Sequence, residues 1–363
     1  EMHPKQKDIY VVDGELHELE KFKATIFIKV LGFNIPIKKK FYRSIYGPTL
    51  KNKTGYYSVR TPSTFNINAV EQWWRMNKAT NFSEFYKALE MKALPGYNIG
   101  YADRNDTIFY ISNGKIPIRN KGYNWRDVVP GNTRKTLWDS YYNIKDLPQV
   151  VSPKSGFVYN ANHSPFKSSG SDDNPKVENF ASEMNFETYD NNRSTRLLQL
   201  LEEKDQIDYE RFKTIKYDHQ LPTPLSYNYM DLNPLFEMNA DDYPEVAALL
   251  TDIHNWDRVT NVESYGAGAY AILYYNLTPF YYELPEDRVF THKALFEALK
   301  VTKSYMITHF KSERVRLGEF QKLVRGDKEL AAFGLPDVVT AMRGEDYKDG
   351  KIKITHGESY IGL

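Results

Sequence analysis

The chain has 363 residues and a formal net charge of +1, room for about two ordinary domains or one large one, and this near-neutral balance argues against a nucleic-acid or membrane-surface partner held by bulk electrostatics. It contains no cysteine, which excludes disulfides and Cys-ligated zinc without fixing a compartment. Its 28 Tyr and 20 Phe suit a strand-rich protein with a large aromatic core.

Read from the start, "EMHPKQKDIY" lacks the charged region and apolar run of a secretory leader, and a chain beginning at Glu1 reads as a piece of something longer or as a processed product. "IYVVDG" predicts a strand ending in an Asp-Gly turn. "ATIFIKVLGFNIPIKKKFYRSIYG" alternates apolar and polar residues on either side of "GFN", which predicts a β-hairpin, and "TGYYSVR" predicts a further short strand. The period then changes. "NAVEQWWRMNKAT" predicts a helix, and Asn81 with Glu84 predicts a capping-box start for "FSEFYKALEMK", which ends at Pro95-Gly96. A second hairpin follows, "NIGYAD", a turn at "RND", then "TIFYIS". Residues 115–160 are rich in Pro, Gly and Trp with no clear period, the pattern of functional covering rather than core. Helical patterns dominate afterwards: "RSTRLLQLLEEK", "YPEVAALLTDIHNW", "GAGAYAILYYNL" and "THKALFEALKVTKSYMITHF". Two short strands, "KIKIT" and "ESYIGL", close the chain. The expected class is α+β in one mixed unit, with residues 1–166 strand-rich and residues 167–363 mainly helical, ending in strands.

Familiar catalytic patterns are few. "GAGAY" reads as the small-residue start of a packed helix, since no strand precedes it where a phosphate loop would need one. His163, His219, His254, His309 and His356 are scattered without metal-ligand spacing. The basic run at Lys38–Lys40 lies on an alternating strand, where a solvated face accounts for it. Asp172-Asp173 and Asp241-Asp242 lie in turn-like stretches. The longest apolar run, around "GAGAYAILYY", is too short to span a membrane. What remains is "NANHSPF", residues 160–166, with an Asn that reads as buried. A neutral amide donor can stabilise an oxyanion, and one such donor is worth about 3 kcal/mol of barrier. An Asx turn that caps the loop before Pro165 accounts for the same residues.

At these residues the sequence resembles the penicillin acylase family of N-terminal-nucleophile hydrolases. The resemblance rests on "NIGYADRNDTIFYISNGKIPIR", on "LPQVVSPKSGFVYNANHSPF", on "YDNNRSTRLLQLL" and on "WWRMNKATNFSEFYKAL", with weaker features in "VRGDKELAAFGLPDVVTAMRG" and "HGESYIGL". It covers nearly the whole chain, and the order and spacing of the segments make it specific. It implies part of an αββα sandwich with an additional helical region. It also implies hydrolysis of a C–N amide bond in an N-acyl compound, such as a β-lactam side chain or an acyl-homoserine lactone. In the family the precursor cuts itself, and a Ser, Thr or Cys becomes the free N-terminus of the large chain and uses its own α-amine as base. By the same resemblance, Asn162 matches the oxyanion-hole Asn and Arg193 the Arg that orients the site. Trp73 and Tyr97 match substrate-pocket positions, with Trp74 one residue away from the Trp73 assignment.

The match has departures. Glu1 is not a nucleophile, "SIYGP" carries Tyr46 where the family has His, and the segments that would hold the nucleophile, the backbone oxyanion donor and the acidic ligands of a structural calcium have no counterpart here. The expectation is therefore an internal fragment of the large chain, with no nucleophile and no metal ligand of its own, inactive when isolated. Its partners would be the N-acyl substrate, the missing N-terminal segment and the small chain of the same precursor, with no nucleic acid and no membrane, in the periplasm or outside the cell. Structural Ca2+ is possible in the complete enzyme. The rival expectation is a non-catalytic homologue that binds or scaffolds.

Overall fold

Period-two alternation becomes strand wherever the first part of the chain shows it. The computed structural model describes residues 1–203, 206–226, 231–278 and 289–357. The chain divides into two compact units, one of Glu1–Val158 with Pro165–Thr188, the other of Tyr159–Ser164 with Tyr189–Leu363.

In the first unit, β1 (Ile9–Val12) pairs with β2 (Glu15–Glu18) around Asp13-Gly14, both at positive φ, as the Asp-Gly signal requires. The long hairpin of β3 (Glu20–Val30) and β4 (Phe33–Ser44) turns at Leu31-Gly32, and β5 (Gly47–Lys51) and β6 (Tyr56–Ser58) extend it to four strands in sequence order. Helices α1 (Ala69–Lys78) and α2 (Phe82–Leu89) follow. The Asn81 side chain accepts from the Glu84 amide at 3.0 Å, while the Glu84 carboxylate accepts from the Thr80 amide at 2.9 Å, so the cap is shared over one more residue than the sequence pattern predicts. Strands β7 (Tyr97–Ala102), β8 (Ile108–Asn113) and β9 (Gln149–Val151) form a three-stranded antiparallel sheet in that order. α2 lies on this sheet through Phe82, whose ring centroid is 5.0 Å from that of buried Phe109. The irregular stretch after β8 is not only covering: Ile144 and Leu147 enter the same core as Leu89, Phe109 and Ile111.

The second unit is α3 (Asn192–Glu202), α4 (Tyr209–Lys216), α5 (Ala247–His254), α6 (Tyr265–Leu277), α7 (His292–Phe310) and α8 (Leu317–Phe320), followed by β10 (Gln321–Arg325), β11 (Lys328–Ala331), β12 (Met342–Asp346) and β13 (Ile352–Gly357). The last four make one sheet, ordered β11-β10-β13-β12, with β10 and β13 parallel. α6 is the hub. It is buried nearly all round, and Gly266 and Gly268 let its backbone approach α5 and the residues before α8, so the "GAGAY" stretch is a packing device. "KIKIT" forms β13, while the strand expected at "ESYIGL" lies outside the described residues. The molecule is α+β, as expected from its pattern.

Candidate active site

Asn162 sits at the tip of a tight turn, at φ +56°, a backbone region that Asn tolerates better than most residues. Its amide nitrogen donates to the Asn160 side chain at 3.1 Å, and that of Ala161 donates to His163 Nδ1 at 3.1 Å. His163 and Ser164 are fully buried, and the His163 ring stacks on Tyr159 with centroids 4.8 Å apart. The turn is therefore fixed by its own buried neighbours. Contrary to the sequence reading, Asn162 itself is exposed; the "GFVY" segment before it runs as irregular chain. The Phe157 carbonyl accepts from the Ser169 hydroxyl at 2.8 Å rather than from a strand partner.

The turn is tied to the start of α3 by Asn191. Its Oδ1 caps the helix, accepting from Ser194 N at 2.8 Å, and its Nδ2 donates to the Ala161 carbonyl at 2.8 Å. One residue thus sets both where α3 begins and where the Asn162 turn lies. Arg193, in the first turn of α3, donates from Nη1 to Asn162 Oδ1 at 3.2 Å. A guanidinium has only donors, so the atom of Asn162 that faces it is the oxygen. The Nδ2 donor is turned the other way and has no partner among the described residues.

A cation in the first turn of a helix opposes the helix dipole. Asp337 offsets it. One carboxylate oxygen accepts from Arg193 Nε at 3.3 Å and the other from the Asn192 amide at 2.9 Å. The Asp337 side chain is only 15% exposed, and burial pushes its pKa up to about 6, against the lowering effect of Asn192 and Arg193. The group Asn162–Arg193–Asp337 is a positioned neutral donor backed by an ion pair. Asp337 and Asn191 were missed in the sequence. Asn191 and Ser194 carry readable capping spacing, but nothing local links Asp337 to a residue 144 positions earlier.

In the first unit, Trp73 on α1 and Tyr97 at the start of β7 meet edge to face, ring centroids 6.1 Å apart, each 46% exposed. Their neighbour Gln72 is completely buried. Its Oε1 accepts from Ala93 N at 2.6 Å and its Nε2 donates to Asn113 Oδ1 at 3.2 Å, locking α1 against β8 and presenting Trp73 outward. Trp74 instead lies under the Lys78 ammonium, 4.9 Å from its ring centroid, so the aromatic pair belongs to Trp73. Among the described residues no group of three or more His, Asp or Glu is placed to hold a metal ion, and no helix is long and apolar enough to cross a membrane.

The family model described as "Penicillin amidase" matches residues 1–342. Over 170 residues the chain is 31% identical to penicillin G acylase of Escherichia coli, covering 46% of this chain and 19% of that protein. It is 19% identical over an alignment of 417 residues to the acyl-homoserine lactone acylase PvdQ of Pseudomonas fluorescens (strain Pf0-1), covering 99% of this chain and 52% of that protein. Among solved structures, a thermostable penicillin G acylase from Alcaligenes faecalis superposes with a TM-score of 0.56 at 16% identity, over 84% of this chain and 64% of that one. The last likeness establishes the fold. The chain spans about half or less of these two curated relatives.

Proposed function

The chain belongs to the penicillin amidase family, and from that premise we propose that it contributes half of the oxyanion site of an enzyme that hydrolyses the C–N amide bond of an N-acyl compound. The observation that carries this reading is the Arg193–Asn162 contact, which presents the Asn162 N–H group outward as a fixed, neutral donor. In the proposed reaction an N-terminal nucleophile outside residues 1–363 attacks the acyl carbonyl. Negative charge builds on the carbonyl oxygen, and Asn162 Nδ2 donates to it. A carboxylate product gains less from an uncharged amide than it would from a cation, so the donor favours the transition state. Arg193 acts through Asn162 and is a positioning residue, and Asp337 holds Arg193. Within the first unit, Trp73 and Tyr97 form an exposed edge-to-face pair, which by the family resemblance is the pair to test for acyl-group binding. Penicillin G and acyl-homoserine lactones, which the relatives' names carry, are the substrates to test first. An extracytoplasmic location, a self-processed precursor and structural calcium elsewhere in the complete protein belong to the same proposal.

The test uses the product of the intact gene, assayed with N-acyl amides of both classes. Asn162→Ala should lower kcat by about 10²–10³ with a much smaller change in KM. Residues 1–363 alone should give no turnover. Wild-type kcat in a folded Asn162→Ala protein would show the turn to be structural, and turnover by residues 1–363 alone would move the nucleophile into this chain.

A further inference from the structure

The β3–β4 hairpin combines two properties that solvated strands do not share. Every residue of β3 is exposed, and β4 is exposed from Phe33 to Phe41. Its register sorts the side chains by face. The pairs Phe22–Phe41, Ile26–Ile37, Ile28–Ile35 and Val30–Phe33 lie on one side, interrupted by Ala24–Lys39, and Lys23–Lys40, Thr25–Lys38 and Lys29–Asn34 lie on the other, with Phe27–Pro36 among them. At the tip, Leu31 is 94% and Phe33 75% exposed. From Lys21 to Arg43 the chain has no Asp or Glu, so a protein of net charge +1 concentrates its positive charge here. Lys21 and Arg43, at the base, are ion-paired with Asp8, Glu18 and Glu20. Lys23, Lys29, Lys38 and Lys40 have no carboxylate at ion-pair distance among the described residues.

A solvated face accounts for the lysines but not for the four apolar pairs exposed on the opposite face, since exposed patches of this kind mark interaction sites. A second copy stacked through that face would cover the apolar pairs but leave the lysines opposite without counter-charge. An anionic bilayer satisfies both faces, because it offers acyl chains and phosphates in one place. We infer that the β3–β4 hairpin is a peripheral docking element for anionic phospholipid membranes, its apolar face and tip at the acyl boundary and its lysines reaching the phosphates. The near-neutral total, which led to the expectation of no membrane partner, conceals this cluster.

Residues 1–363 hold no cysteine, so one environment-sensitive dye can be placed at Leu31→Cys in the product of the intact gene, with any cysteine outside this stretch changed to serine. Vesicles of phosphatidylglycerol and phosphatidylcholine should shift its emission to the blue and sediment the protein, and pure phosphatidylcholine vesicles should do neither. The triple variant Lys23→Gln, Lys38→Gln, Lys40→Gln should weaken partitioning by about 100-fold at low salt, at about 1 kcal/mol per lysine. Leu31→Ser with Phe33→Ser should weaken it at least about tenfold. All five positions are exposed, and an unchanged urea midpoint confirms folding. Three outcomes overturn the inference: equal binding to both vesicle types, a dye already shielded before lipid is added, or a concentration-dependent dimer that Phe33→Ser dissolves.

Discussion

Asp337 grips Arg193 and the amide of Asn192 with its two carboxylate oxygens, at 3.3 and 2.9 Å, so the helix that carries Arg193 and the guanidinium itself share one anchor. The anchor is buried, and its cost depends on pH. With its pKa raised from 3.8 to about 6, Asp337 is protonated in the folded protein over a range where it is already ionised in the unfolded chain. The folded state then binds more protons, so this group's contribution to stability is full below about pH 4 and is lost as pH rises through about 6.

Asp337→Asn keeps the shape and one oxygen acceptor, removes the charge, and turns an NH2 toward either the Asn192 amide or Arg193 Nε, a loss that offsets part of the gain. The variant should be more stable than wild type above pH 6, on the order of 1–2 kcal/mol, and should flatten the stability profile between pH 4 and 6. Urea unfolding at a series of pH values measures both. A variant less stable at pH 7 would mean that the Arg193 ion pair outweighs the desolvation of the carboxylate.

Gln72 predicts a different loss. It is the buried link between α1 and β8, and Gln72→Leu leaves the Ala93 N–H and Asn113 Oδ1 without their partners and breaks a longer bond from the Leu94 N–H. Two unsatisfied buried groups should cost about 2–4 kcal/mol, visible as a lower urea midpoint. The exposed Trp74→Ala change should stay within about 0.5 kcal/mol. Equal effects would remove Gln72 as the support of the Trp73–Tyr97 pair.

These positions show what the sequence makes legible. The β7–β8 hairpin, the α2 cap at Asn81 and the packed nature of "GAGAY" were readable because each depends on neighbours within a few residues. β9 covers one edge of that hairpin, while β7 has no strand partner on its other edge among the described residues. α4 escaped notice for want of a strong apolar stripe, although Asp208 caps it, and β10–β11 because "RGDK" hides a two-residue turn. At the site, Asn162 and Arg193 came from resemblance rather than spacing. Asp337 could not be found locally, because burial and a contact across the fold give it its role.

Gly268 tests the packing of the second unit. A Cβ there would lie 2.0 Å from the Val315 carbonyl oxygen, whereas one at Gly100 in β7 would meet nothing within 4 Å. Backbone on the far side cannot rotate away as a side chain would, so α6 must move off its neighbours. Gly268→Ala should cost more than about 3 kcal/mol or leave the protein insoluble, and Gly100→Ala should remain close to wild type. Soluble yield and thermal unfolding decide it. A well-folded Gly268→Ala protein of normal stability would mean that α6 is less tightly held than the close approach shows.

The coupling of Asn162 and Arg193 can be measured as a free energy in the product of the intact gene. If Arg193 works only by turning the Asn162 amide, its removal has nothing left to disturb once that amide is gone. Arg193→Ala should then lower kcat by less than Asn162→Ala does. The double variant should match Asn162→Ala, so the two single losses exceed the double loss by nearly the whole effect of Arg193→Ala. Arg193→Lys should recover little, because a single ammonium cannot reach both Asp337 and Asn162 in the geometry of the guanidinium fork. Additive losses in kcat would give Arg193 a contact with the substrate of its own, and its role would change from positioning to catalytic.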